Sequence, residues 1–185
     1  MSVKTVFIGG SRHVHLLDDP VRRRLDRIIK QGLAVVVGDA DGADKEVQTY
    51  LHQRGYPRVE VFCMDGRCRN NIGHWPIRAV GSRCRHKNLF YYAQKDCLMA
   101  QEADMGLMIW EGRSAGTLAN VGRLVRLGKV VVLHLAATGQ AVRLACEADW
   151  QRLLGTCAGS ARARVEDELR AEADLSANRS EPSLF

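Results

Sequence analysis

The chain has 185 residues, 46% of them hydrophobic, which leaves room for one domain with a substantial core and little for two. No apolar run approaches the ~20 residues of a membrane-spanning helix, and the opening MSVKTVFIGG has neither the basic n-region nor the cleavage site of a signal peptide, so a cytoplasmic protein with no membrane partner is expected. The net charge of +6 is unevenly held: residues 141–185 carry six arginines against eight acids and residues 1–140 carry 21 basic against 13 acidic residues, a basic body suited to a nucleotide, a phosphate or a nucleic acid.

VKTVFIGG (3–10) reads as a buried strand running into glycines. PVRRRLDRIIKQG (20–32) predicts a helix, with Asp18 or Asp19 to cap it, Pro20 in its first turn and Gly32 to end it. LAVVVGD (33–39) is a second buried strand, GADKEVQTYLHQRGY (42–56) a helix, and RVEVFC (58–63) a third strand. Residues 64–84 have Gly, Asn and Pro punctuation without a clear period and read as one long loop. The rhythm resumes with a helix over 86–104, a strand over 105–110, a helix over 117–128 and a strand over 129–135. Beyond Thr138 the pattern predicts a helix near 140–154, a weaker charged one near 160–174 and a frayed end.

Strands that are apolar throughout, alternating with helices, point to a parallel sheet covered on both faces. The expected fold is therefore α/β, a Rossmann-like doubly wound sheet of about five strands in the order 3-2-1-4-5. The division expected is a Rossmann-like domain over 1–138, a C-terminal helical extension over 139–174 and a disordered tail over 175–185.

That strand order makes a specific demand. GGSR (9–12) leaves the first strand and EGRSAGT (111–117) leaves the fourth, so both loops should face one crevice at the switch point, where ligands of such sheets bind. Gly9 and Gly10 let the backbone approach a guest closely. Gly116 and Thr117 stand at the start of a helix, where unpaired amides and the helix dipole attract an anion. Ser11, Ser114 and Thr117 add hydroxyls, while Arg12 and Arg113 add charge. In GDADGAD (38–44), Gly38 and Gly42 shape a loop beside the crevice, Asp39 borders it, and Asp41 or Asp44 either caps the next helix or accepts hydrogen bonds from a ribose. A calcium loop counted from Asp39 would need an oxygen ligand at Ala43 and a glutamate at Tyr50, so it is excluded. Cys63-x4-Cys68 and Cys84-x-His86 lack the paired C-x2-C knuckles of zinc sites, and no metal site is assigned. The long loop could act as a lid: Trp75, or Trp110 at the end of the fourth strand, could stack on a base, and Arg67, Arg69, Arg78, Arg83 and Arg85 could take phosphates. His13 and His15 are candidate acid–base groups.

VFIGGSR, VVVGDADGAD, AQKDCLMAQEADMGLMIWEGRSAGTLANV and GKVVVLHL, in this order across residues 3–135, resemble the SMF/DprA–LOG (SLOG) superfamily of Rossmann-like nucleotide-binding proteins, and in particular its YpsA-like bacterial branch. The resemblance implies a nucleotide or nucleotide-derived ligand over the glycine loops, and a homodimer or higher homo-oligomer. In the phosphoribohydrolases of that superfamily an Arg-Lys pair precedes the strand, and a P-G-G-x-G-T loop is followed by two glutamates. Here Lys95 and Asp96 fall on the pair, EGRSA replaces Pro-Gly-Gly, and Ala119 and Asn120 stand at the glutamate positions. Neither can stabilise or attack a ribosyl cation as a carboxylate does. Glu111 and Asp96 are the carboxylates that could substitute.

Three functions follow in order. The first is a sensor or binding protein for a nucleotide-type ligand, held by Gly9–Arg12, Gly38, Asp39, Asp41, Lys95, Arg113, Ser114, Gly116, Thr117 and Asn120, with a magnesium ion allowed alongside a phosphate. The second is cleavage or transfer of a nucleotide N-glycosidic bond by Glu111 or Asp96. The third is DNA binding, as in the DNA-processing members of the superfamily.

Overall fold

A computed structural model describes residues 3–81 and 89–177. The chain runs β1 (Thr5–Gly10), α1 (Asp19–Gln31), β2 (Ala34–Gly38), α2 (Ala43–Gln53), β3 (Val59–Met64), β4 (Ile77–Val80), α3 (Leu89–Glu102), β5 (Met105–Trp110), α4 (Ala115–Arg126), β6 (Val130–Leu135), β7 (Gln140–Leu144), α5 (Glu147–Thr156) and α6 (Gly159–Ala177). One sheet holds the strands in the order β4-β3-β2-β1-β5-β6-β7, parallel except for β7. Its five inner strands reproduce the order read from the sequence, and helices cover both faces.

The inner strands are apolar because each is buried on both sides; Val6, Phe7 and Ile8 of β1 are all enclosed. Their odd and even residues feed two separate cores. On one face Val6 and Ile8 pack with Val21 and Leu25 of α1 and Val47 and Leu51 of α2. On the other, Phe7 packs with Met99 of α3, Leu118 and Leu124 of α4, and Trp150, Val165 and Leu169 of α5 and α6. Helix α1 is bounded as its sequence dictates: Asp18 Oδ1 accepts the Val21 amide at 3.0 Å, and Gly32 ends it at φ +65°.

Two strands were not legible. Residues 64–84 are not all loop: Ile77–Val80 forms β4 at the sheet edge, short and mostly exposed, so it has no apolar run to announce it. Residues 140–144 are not helical: after a turn through Gly139 at φ +69° they fold back antiparallel on β6. Pairing with an open edge overrides the weak helical pattern there, and the helix starts only at Glu147. Helix α2 is also begun differently from expectation. Gly42 is its N-cap with no side-chain cap, and Asp44 lies inside the first turn. Helix α6 extends past 174 to Ala177; the rest of the predicted tail lies outside the described residues, as do Arg83, Cys84, Arg85 and His86. The five described cysteines are free.

Candidate functional site

The chain reverses its direction across the sheet between β1 and β5, and both glycine loops sit at that point. Gly10 is required by crowding: a Cβ there would lie 2.4 Å from the Ile109 carbonyl oxygen and 2.7 Å from the Ala43 Cβ. Ser11 is fully buried, its amide bonded to the Ile109 carbonyl at 2.9 Å and its carbonyl accepting the Ala43 amide at 3.0 Å. The β1 loop is thereby tied to both β5 and α2. Across from it, Ser114 caps α4; its Oγ accepts the Thr117 amide at 3.3 Å and the Thr117 hydroxyl at 2.9 Å. Ser114 therefore quenches one of the free amides of this helix end, and those of Ala115 and Gly116 keep no intrahelical acceptor. Gly116 has open space around it.

Between these loops lies a cleft of about 700 Å³, within the range of about 300–1,000 Å³ usual for small-molecule sites. Gly9, Gly10, Ser11 and Arg12 line it from β1, and Glu111, Arg113, Ser114, Gly116 and Thr117 from β5 and the start of α4. Lys95 and Asp96 of α3, Asn120 of α4 and Asp44 of α2 complete the polar wall, while Phe7, Ala93 and Met99 supply apolar surface. Two loops a hundred positions apart thus converge on one hollow.

The polar wall is a network of opposed charges. Lys95 is only 4% exposed; its Nζ donates to Asp96 Oδ1 at 3.0 Å and stands 3.9 Å from Asp39 Oδ1. Burial alone would lower its pKa, but the carboxylates of Asp96, Asp44 and Asp39 outweigh burial and hold it above the usual lysine range. Asp44 is buried and makes no ion pair among the described residues, and burial pushes it up to about 7 against the pull of Lys95. Asp96 Oδ2 also accepts the Asn120 amide at 3.2 Å, and Asn120 Oδ1 accepts from Arg123.

Three of the expected ligand residues stand behind the cleft, outside its lining. Gly38 is where Asp44 and Lys95 crowd the backbone; a Cβ would come within 2.4 Å of Asp44 Oδ2 and 2.7 Å of Lys95 Nζ. Asp39 is clamped by Arg69 through three bonds of 2.7–3.1 Å. Burial works against that carboxylate, yet the Arg69 hydrogen bonds and Lys95 hold it below the usual range. Asp41 accepts from Asn70 at 3.1 Å. These acids organise the segment after β3 instead of facing the hollow.

That segment is pinned to the body. Gln48 of α2 bonds the Asn70 carbonyl and the Ile72 amide, and the Trp75 indole is buried, donating to the Tyr56 carbonyl at 2.9 Å. Trp75 is therefore core; Trp110 is likewise buried and donates to the Ser114 carbonyl. Arg78 is held at the sheet edge by Glu60 and Glu102. Of the lid residues proposed from sequence, Arg69 lines the cleft, next to Tyr92, whose ring it covers at 5.2 Å. His13 is on the cleft and His15 is not among its lining residues.

The two candidate catalytic carboxylates differ. Asp96 is engaged by Lys95 and Asn120, whereas Glu111 Oε2 is buried in the cleft wall with no hydrogen-bond partner among the described residues. Ala119 is fully buried in the core and Asn120 faces the cleft, so of the two positions only Asn120 could act on a guest. Asp39, Asp44 and Asp96 are committed to cations or amides, and among the described residues no group of three His, Cys, Asp or Glu could hold a metal. Sequence reasoning missed Tyr92, Arg164 and Glu168. The last two come from α6, whose approach to the cleft leaves no local signal.

Among the described residues no helix is long and apolar enough to cross a membrane. No family profile matches the sequence and no curated protein is significantly similar to it. Solved structures of similar fold do exist. DNA processing protein A from Helicobacter pylori, characterised for a single-stranded DNA binding mode, aligns with a TM-score of 0.56 at 12% identity, over 91% of this chain and 81% of its own. DNA processing protein A from Streptococcus pneumoniae aligns with a TM-score of 0.51 at 15% identity, over 84% of this chain and 57% of its own. At such identities the likeness establishes a common Rossmann-like fold.

Proposed function

We propose that the protein is a YpsA-like member of the SLOG superfamily that binds a nucleotide-type ligand, phosphate foremost, in the cleft between β1 and β5. The observation that carries this reading is the convergence of the Gly9–Arg12 loop and the α4 N-terminus on one hollow whose mouth holds Arg12 and Arg113, neither ion-paired among the described residues. Open helix amides and unpaired guanidinium groups recognise phosphate oxygens. Isothermal titration with adenosine and guanosine mono-, di- and triphosphates tests it. Saturable binding that Arg113→Ala weakens is expected, and absence of binding to every nucleotide would refute it.

Two observations favour alternatives, and each has its own readout. The fold shared with a protein described as binding single-stranded DNA, together with the exposed Arg22 and Arg23 of α1, favours nucleic acid. Such binding falls steeply with salt because it releases counterions, whereas a ligand seated in the cleft should respond less. The unpartnered Glu111 oxygen favours N-glycoside cleavage. In that case the wild type releases free base from a nucleoside monophosphate and Glu111→Gln does not. If the protein only binds, neither releases base, and Glu111→Gln binds nucleotide at least as tightly because one negative charge has left the cleft.

A further inference from the structure

Helix α6 reaches the cleft with two side chains, Arg164 and Glu168. They are four residues apart, the spacing at which an arginine and a glutamate on one helix face normally pair. They do not pair with each other; Glu168 is taken by Arg123 of α4 at 2.7 Å. Arg123 is 5% exposed and also binds Glu172, so α4 and α6 are locked together by a buried guanidinium between two carboxylates. The same Arg123 donates to Asn120, which donates to Asp96 in the cleft wall. Arg164 is left exposed and without an ion-pair partner among the described residues, on a helix whose position is fixed from below.

The geometry points to a distal phosphate subsite at the α4–α6 junction: we propose that Arg164 binds the terminal phosphate of a nucleoside di- or triphosphate whose inner phosphate sits at the start of α4. This deepens the proposed nucleotide-binding reading and rests on it. The chemistry is that of an arginine fork on phosphate oxygens, supplied from α6. Arg123 and its glutamates play a positioning role, since they keep Glu168 from neutralising Arg164 and hold α6 against α4. Ligand seated on both Arg164 and α4 would bridge the two helices, so occupancy should protect α6 from local opening.

The test is titration of wild type, Arg164→Ala, Arg164→Lys and Arg162→Ala with adenosine and guanosine mono-, di- and triphosphates and with a single-stranded deoxyoligonucleotide. Arg162 lies on the same helix but pairs with Glu166 and does not line the cleft, so its variant is the control. Arg164→Ala should lose about tenfold in affinity for di- and triphosphates and at most about twofold for monophosphates, with Arg164→Lys in between. Hydrogen exchange of the α6 amides should slow on adding triphosphate to wild type and not to Arg164→Ala. Equal losses for mono- and triphosphates, no loss, or a defect confined to the oligonucleotide each overturn the subsite while leaving the cleft reading standing. A wild type that binds no nucleotide overturns both.

Discussion

Asp44 shows how a single burial decision colours the site. Its carboxyl accepts the Ala40 amide at 3.3 Å and lies near Lys95, but burial dominates and sets its pKa at about 7. An unfolded chain loses that proton near the ordinary aspartate value of 3.8, so between about pH 4 and 7 the native state holds a proton the unfolded state has released. Stability must fall as pH rises through this interval, and level off above it. Denaturant melts at pH 5 and pH 8 should show that fall in the wild type and a flatter profile in Asp44→Asn, which keeps an acceptor for Ala40 but cannot ionise. An unchanged slope would mean that Asp44 ionises normally. Asp39 illustrates the opposite outcome five residues earlier. The sequence put Asp39 and Asp41 among the ligand residues and offered Asp44 only as an alternative to Asp41, because composition and spacing cannot tell which acid meets Arg69 or Asn70 and which is left facing the hollow.

At the scale of elements, α4 is the hinge between the core and the site. Gly122 is where its neighbours come closest: a Cβ there would meet Leu169 Cδ1 at 2.7 Å and Trp150 Cζ2 at 3.0 Å. Two residues earlier Asn120 faces the cleft, and one residue later Arg123 holds Glu168 and Glu172. Removing Arg123 would strand two mostly buried carboxylates, so Arg123→Ala should destabilise the fold by roughly 3 kcal/mol. Adding Glu168→Gln and Glu172→Gln to Arg123→Ala should recover much of that loss, because what remains is polar but uncharged. Chemical denaturation of the single and triple variants checks this; a triple variant no more stable than the single would show that packing, not stranded charge, sets the loss. The α3, α4 and β5 segments were legible because their apolar spacing is local. The docking of α6 was not, since Arg123 and its glutamates lie about 45 residues apart in sequence.

Among the described residues the sheet ends in two edge strands, β4 and β7. β4 carries Ile77 at 49% exposure and β7 carries Val142 at 38%, and unpaired edges with apolar side chains invite a second chain. Self-association through such an edge is the form in which the homo-oligomer suggested by the superfamily resemblance is proposed here. Light scattering after gel filtration should give a mass twice that of one chain, and Val142→Arg or Ile77→Arg should return it to the monomer; a monomeric wild type would reject the proposal. The amino-acid sequence by itself determined the five inner strands, their order and the meeting of GGSR with EGRSAGT. Those follow from apolar runs, glycine placement and the handedness of crossovers, all of which act over short stretches of chain. Only the tertiary structure decided that β4 and β7 extend the sheet, that Asp39 turns to Arg69 while Asp44 and Glu111 face the cleft, and that α6 brings Arg164 to its mouth. Edge pairing and partner choice depend on which groups distant in sequence come within a few ångströms, and no local pattern encodes that.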